Sequence, residues 1–496
     1  MKKRVRLAAA MLLLLAVFAS CNKPAAPPAD SEPQQTEAET SPYLDHLPAD
    51  LDFNQEEVNI FYGVYDPNFD CKALEVEGNT DGDFVAEKVY KRNEEVQNRL
   101  NVFFDFTQVE TSSDAATYAA AIEQNVIHAQ STEYDLVYHR AANAAVHSNM
   151  GYFRSVNDLP YVDWDMSYWF YNQMEAVSLN SSRIYMILGD LLISNYSNIS
   201  TMFFNMDLYE TLFPGQSASD LYDMVKNNEW TWENYFAIVT DSYQDNDGID
   251  GATAGDTYGA NWENGTRTCQ YYPYTSGLRF TERDQDGFPS FTLNNDRTVS
   301  MVEDLYDFIH QNPGTYMMTY DEAQNKFLNG TMLFYSYFLS LGKVISQNAE
   351  FEYGILPFPK YDELTDYTSV LLTGAGVYVI PYTIQDEERL SRIGATLEAL
   401  CASGSRLVVP EYYETVVKIK ESGTEQNREM IEFIRDHLKF DLSFWMSDSL
   451  GKVASTFQQC ILKDQSNNYS STWQRYGATY EGALKSLIEQ YSGKLE

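Results

Sequence analysis

The sequence predicts an α/β protein built on a parallel sheet with covering helices. Two observations carry this. From residue 58 onward, period-two stretches alternate with stretches of helical period, in the order strand, helix, strand, helix, strand. The chain is also 44% hydrophobic over 496 residues, enough for sizeable cores in more than one lobe and too apolar for a disordered chain.

The elements follow in order. VNIFYG (58–63) alternates like a strand. Val85, Val89, Val96 and Leu100 then share one face of a helix within FVAEKVYKRNEEVQNRL. VFFDFTQV (102–109) is a second strand, and DAATYAAAIEQNVIHAQ a second helix with Tyr118, Ile122 and Val126 on one side. YDLVY (134–138) is the third strand. Ligands of such sheets sit beyond the carboxyl ends of the strands, which points to Tyr138, His139 and Arg140. The alternation starts again at RIYMILGD (183–190) and TMFFNMDLYETL (201–212). Thr231 caps a helix in NNEWTWENYFAIVTD, and a polar, Gly-rich excursion follows over residues 241–265. Helices over 296–310 and 321–328 lead into TMLFYSYFLS, then FEYGILPFPK, GAGVYVIP and a run of helices from Asp386 to the end.

The chain begins outside this pattern. MKKRVRLAAAMLLLLAVFASC has a basic start and an apolar run, Leu7 to Phe18, too short for the roughly 20 residues that span a bilayer. It reads as a signal peptide over residues 1–20. FASC resembles a lipobox, with Phe18 where Leu is more usual, and makes Cys21 the expected site of lipidation. An ordinary secretory signal with a chance cysteine is the other reading. Residues 21–53 hold Pro24, Pro27, Pro28, Pro33, Pro42 and Pro48 among polar residues, the composition of a disordered tether. A folded body on a membrane leash, facing the extracellular side, is the expectation.

Charge excludes one class of partner. With 34 basic and 72 acidic residues the formal net charge is −38, which repels phosphate backbones and excludes nucleic acid. The 37 tyrosines suit flat contacts such as sugar faces, and equally suit half-buried β positions. Cys71, Cys269, Cys401 and Cys460 match no zinc pattern; buried thiols, or one long-range bridge among them, fit the spacing.

The ordered set YDLVYH, GYFRSVNDLPYVD, TMFFNMDLYETL, NNEWTWENYFAIVTD, DNDGIDG, DTYGANW, NKFLNGTMLFYSYF, FEYGILPFPKYDE and VVPEYYETVVKIKESG resembles the bacterial extracellular solute-binding lipoproteins (family 1) that feed carbohydrate ABC importers. The resemblance implies a two-lobed periplasmic-binding-protein-like (type II) fold with hinged lobes and the solute in the cleft between them. Lobe one would take residues 54–190, lobe two 191–350, and residues 351–496 would return to lobe one and pack C-terminal helices across both. The implied partners are a neutral sugar or oligosaccharide and the permease subunits of an ABC importer, with the protein itself a monomer. By the same resemblance the solute contacts would come from three places: Tyr138, His139 and Arg140; Trp262, Glu263 and Asn264; and Tyr335, Tyr337 and Phe338, with Trp445 added from the C-terminal helices. Trp262 stands out as a large aromatic expected in an exposed loop.

An enzyme is the rival class, most concretely a lipid-anchored surface glycoside hydrolase, which needs two carboxylates that no motif here marks. No H-E-x-x-H, G-x-S-x-G or P-loop is present, and the six histidines form no ligand-spaced pair. A scaffold would show repeats, which are absent. No cofactor is expected, apart from the question raised by DNDGIDG. An EF-hand register would put Tyr243 at the first position and Ala254 at the twelfth, so the standard loop is not met. Asp245, Asp247, Asp250 and Asp256 could form an irregular calcium site, or the stretch is an ion-free Asp/Gly turn.

Overall fold

The computed structural model describes residues 43–263, 266–417 and 424–493. The signal segment, Cys21, most of the tether and Asn264 lie outside the described residues. The strands in chain order are β1 (Glu56–Tyr62), β2 (Val102–Gln108), β3 (Leu136–Arg140), β4 (Ser200–Asn205) and β5 (Ala260–Glu263). There follow β6 (Thr281–Arg283), β7 (Pro289–Phe291), β8 (Thr315–Met318), β9 (Phe334–Phe338), β10 (Tyr353–Leu356) and β11 (Gly376–Val379).

The first sheet has the order β11-β3-β1-β2. Its core is the βαβαβ unit read from the sequence, with β1 parallel to both β2 and β3. The helix Phe84–Leu100 makes the first crossover: the Asp83 carboxylate caps its start by accepting from the Val85 and Ala86 N–H groups, and Asn101 ends it in the left-handed conformation at φ 49°. Val85, Val89, Val96 and Leu100 are all buried, as their spacing predicts. The second helix, Ala115–Ile122, is capped by Asp114 and widens into a looser turn as far as His128. β11 joins later from GAGVYVIP, antiparallel to β3, with Gly376 opposite Arg140. Gly376 is needed there, because a Cβ would lie 2.5 Å from the Tyr138 ring.

The second sheet, β10-β4-β9, is antiparallel throughout. It is extended by the parallel pair β5–β8, since Leu333 and Phe334 donate to the carbonyls of Tyr258 and Gly259 at 2.9 and 2.8 Å. β6 and β7 form a separate hairpin.

Three segments cross between the sheets and pair with one another. Ser200 N–H donates to the Val370 carbonyl at 2.9 Å, Leu372 N–H donates to Asn198 at 3.0 Å, and Ile199 faces Leu371 as an antiparallel bridge. The third segment runs beside the second, with Ser369 donating to the His437 carbonyl at 2.9 Å. A narrow ribbon of this kind, between two separate sheets, is the structural element that a hinge requires.

Two sequence expectations are corrected. RIYMILGD forms no regular strand; it meets the first sheet through one bridge, Ile187 to Tyr378, while Gly189 bridges to Trp169. The return does not begin at residue 351, because β10 is an edge strand of the second sheet, and the crossing follows Leu356. The returning chain packs on both halves. The helix Glu387–Ser403 packs on the helix Phe84–Leu100, whereas Thr424–Asp436 packs on β10. There the Asn427 side chain accepts from Ile355 N–H at 2.7 Å and donates to the Tyr353 carbonyl at 3.2 Å. The last helix, Tyr469–Ser492, touches elements of both halves, as expected. The four described cysteines are buried free thiols.

Candidate functional site

The carboxyl end of β3 is where the first sheet meets the crossing ribbon. Alternation along the strand sorts its side chains. Tyr138 is fully buried and its hydroxyl is bound to the Glu75 carboxylate and, at 3.2 Å, to the Tyr65 hydroxyl. Glu75 itself is buried and accepts from Ser194 N–H at 2.5 Å, on the first crossing segment. Tyr65 donates to the Gly374 carbonyl at 3.0 Å, on the second. Tyr138 is therefore an anchor for two crossing segments, and the expectation that it faces a solute is corrected. Burial raises the Glu75 carboxyl above its ordinary range, and hydrogen bonds from Ser194 and Tyr138 oppose that rise.

His139 is also interior. Its Nδ1 accepts from Arg140 N–H at 2.9 Å, so in the neutral ring Nε2 carries the proton and donates to His147 Nδ1 at 3.1 Å. His147 then holds its own proton on Nε2, 3.1 Å from the Glu123 carboxylate. Burial pushes His139 well below its ordinary pKa, with the neighbouring His147 and Arg140 acting in the same sense. His139 is thus a link in a buried chain and not a solute contact. Arg140 alone of the three reaches open space.

The second half contributes the ends of β5 and β9. Trp262 lies on a strand, not in an exposed loop, and is 1% exposed. It packs against Tyr272 and Phe308 at ring separations of 5.6 and 5.9 Å, so the expectation of an exposed stacking platform is overturned. Period-two alternation explains the outcome: Trp262 points into the core, while its neighbours Asn261 and Glu263 point the other way and line a recess with Ser336, Tyr337 and Phe338. Tyr335 is buried, stacked at 6.0 Å on Tyr337, which is half-buried beside the recess.

The two halves meet over a cavity of about 370 Å³. Arg140 and Asn143 come from the end of β3 and the helix behind it; Gln270 and Tyr271 come from the helix Thr266–Thr275 that follows β5. Thr373 of the second crossing segment forms the floor, and Trp445 with Lys452 comes from the C-terminal region. Tyr271 lines both this cavity and the recess, joining them. Trp445, stacked on Phe440 at 5.0 Å, presents only an edge. The chemistry is that of a polar-ring binder: a guanidinium, amides, hydroxyls and a carboxylate set among aromatic rings.

Of the sequence-predicted residues, the structure brings Arg140, Glu263, Tyr337, Phe338 and Trp445 to this region and withdraws Tyr138, His139, Trp262 and Tyr335 into the cores. Asn143, Gln270 and Tyr271 were missed. Their signal lay in the rule already applied to β3: the helix following a strand, here TRTCQYYPYT, supplies side chains to the same end of the sheet.

In the Asp-rich turn, carboxylate oxygens of Asp245, Asp247 and Asp256 lie within 4.8 Å of one another, whereas Asp250 stands apart and leaves the expected set. These oxygens already accept protein hydrogen bonds: Asp247 from Ile249 N–H and the Thr253 hydroxyl, Asp256 from the N–H groups of Thr253 and Asn246.

No family model matches the chain, and no curated protein matches it in sequence. Solved structures do. The cyclic α-maltosyl-1,6-maltose binding protein of Arthrobacter globiformis aligns over 88% of this chain and 99% of its own at 12% identity, with a TM-score of 0.59. An ABC substrate-binding protein of Listeria monocytogenes in complex with cycloalternan covers 89% and 99% at 12% identity and TM-score 0.51. The maltose/maltodextrin-binding domain of Bdellovibrio bacteriovorus bound to maltotriose covers 87% and 100% at 12% identity and TM-score 0.52. Over most of its length the chain has the two-lobed, periplasmic-binding-protein-like fold of these proteins.

Proposed function

We propose that the protein is a membrane-anchored extracellular solute-binding protein that captures a carbohydrate, an oligosaccharide in preference to a single sugar, and delivers it to an ABC importer. One observation carries the reading: a cavity walled by strand ends and helices of two halves built on separate sheets, with a paired ribbon between the sheets as hinge. Names of structures sharing this fold support the solute class, since they bind cyclic and linear glucose oligomers. In this role Arg140, Asn143, Gln270 and Glu263 would hold hydroxyls while Tyr271, Tyr337 and an edge of Trp445 cover ring faces. Lipidation at Cys21 would hold the protein at the membrane, and closure of the lobes would present the loaded form to the permease subunits. On this reading the protein binds and releases its solute unchanged. Calorimetric titration of the mature chain with a panel of neutral oligosaccharides tests the proposal. Saturable binding at one site is the expected result; a folded sample silent to the whole panel would refute sugar capture, and sustained product release would move the protein to the hydrolases.

A further inference from the structure

A second cavity, of about 610 Å³, lies behind the crossing segments. Leu371, Leu372 and Thr373 line the front cavity; Thr368 and the stretch Leu438–Asp441 line this one. Its remaining walls come from both halves, the helix Tyr171–Ala176 on one side and residues 277–283 with Tyr274 on the other. Three cations line it, and one of them, Arg283, is held by the carbonyls of Glu175, Ser178, Leu179 and Gly287. Arg279 is exposed, and its guanidinium makes no hydrogen bond or ion pair among the described residues. The Lys439 ammonium, on a side chain 39% exposed, has only a 3.9 Å contact with Asp366, itself 90% exposed. Both side chains line the same cavity; burial lowers the Lys439 pKa, Asp366 opposes the lowering and Arg279 adds to it.

The carboxylates nearby do not discharge the pair. Asp441 is spent on hydrogen bonds from the N–H groups of Phe280, Thr281 and Ser443 and from the hydroxyls of Thr281 and Ser443. Glu175 and Glu282 also line the cavity; Glu175 acts on Arg283, and among the described residues neither forms an ion pair with Arg279 or Lys439. In a chain of net charge −38, two cations in one cavity left without close carboxylate partners are an arrangement that an anionic ligand completes.

We propose that this rear cavity is a second binding site, for a small oxyanion of the carboxylate or phosphate class held between Arg279 and Lys439, and that its occupancy biases the angle between the lobes. The coupling follows from position. A space that spans both lobes on the far side of the hinge widens when the front cleft closes, so a ligand fitting one width favours one lobe angle. The proposal rests on the hinge reading but not on the identity of the solute.

The test uses the intact mature protein without any sugar. Citrate and inorganic phosphate are titrated separately by calorimetry at constant ionic strength, which distinguishes the two anion classes. Saturable binding of at least one is expected, weakened tenfold or more in the Arg279→Ser/Lys439→Ser double variant and restored towards wild type in Arg279→Lys. Solution scattering should show the radius of gyration change with the bound anion in wild type and not in the double variant. No binding of either anion, or binding indifferent to the double variant, would overturn the site. An unchanged radius of gyration on saturation would overturn the coupling. Sugar capture at the front cleft stands or falls by its own titration.

Discussion

The ends of β3 and β5 occupy equivalent places, each the wall of the front cavity in its own half, yet they are held by opposite chemistry. β3 ends on buried polar groups: the Glu75, Tyr138 and Tyr65 network and the His139, His147 and Glu123 chain. β5 ends on aromatic packing: Trp262 against Tyr272 and Phe308, with Tyr235 bonded through its hydroxyl to Tyr272 at 2.9 Å. The polar end ties the sheet to two crossing segments, because hydrogen bonds are directional and can specify a register across a hinge. The aromatic end meets the second crossing segment by ring packing instead, Tyr272 against Phe358 at 5.2 Å, and serves as a rigid platform. One lobe therefore carries the hydrogen-bonded hinge attachment, and with it the sensitivity to pH; the other carries the inert face.

The largest expected effect lies on the aromatic side. Trp262→Ala should cost about 3–5 kcal/mol, the range for emptying a buried Trp or Phe site, and denaturant unfolding should return the same loss at pH 7.5 and pH 5.5. A loss of under about 1 kcal/mol would mean that Trp262 is not packed as described.

On the polar side Glu75→Ala strands two buried donors, Tyr138 OH and Ser194 N–H, at about 1–3 kcal/mol each. Glu75→Gln keeps an acceptor and should fall between that variant and wild type. Because these donors sit at the hinge, Glu75→Ala should also change the scattering envelope, whereas Trp262→Ala should not.

The histidine chain gives a smaller, pH-dependent difference. Burial lowers both His139 and His147 below the usual value near 6.5, so in acid the unfolded chain takes up protons that the folded chain refuses. The contribution is intact above that pH and is lost as pH falls below it, by about 1.4 kcal/mol per pH unit for each ring held neutral. Glu123 opposes the lowering at His147, which makes His139 the steeper of the two. Melting followed from pH 7.5 to 5.0 should fall more steeply in wild type than in His139→Gln; parallel curves would remove the chain from the account.

The smallest effect belongs to the Asp-rich turn. Its carboxylates already accept hydrogen bonds from Thr253, Asn246 and Ile249, so chelator or millimolar calcium should move the melting temperature by less than about 2 °C. A larger rise with calcium, abolished in Asp256→Asn, would install a structural ion at Asp245, Asp247 and Asp256.

Much of the fold could be read from the sequence because periodicity is local. Helix Phe84–Leu100 and strands β1 to β3 fall within two residues of their predicted limits, and the parallel order follows from the alternation. β10 and β11 could not be placed from pattern alone, since each joins a sheet through partners far away in sequence, Asn205 to Met202 and Arg140 to Val137. The site was half legible. The strand-end rule found the right places, but it does not say which face of a strand meets the cavity. A one-residue shift separates Trp262 from Glu263, whereas Tyr138 and Arg140 share a face and differ in how far along the strand they lie, only the last residue of β3 reaching the cavity. Choosing the largest aromatic favoured the core, because a fully apolar ring gains most from burial.

The central claim is that one solute is gripped from both halves. It is tested most directly by calorimetric titration of whichever oligosaccharide binds against wild type, Arg140→Ala from the first half and Tyr271→Ala from the second. Each variant should bind at least tenfold more weakly while melting within about 2 °C of wild type. Undiminished affinity in either folded variant would place the solute outside the cleft and contradict the account.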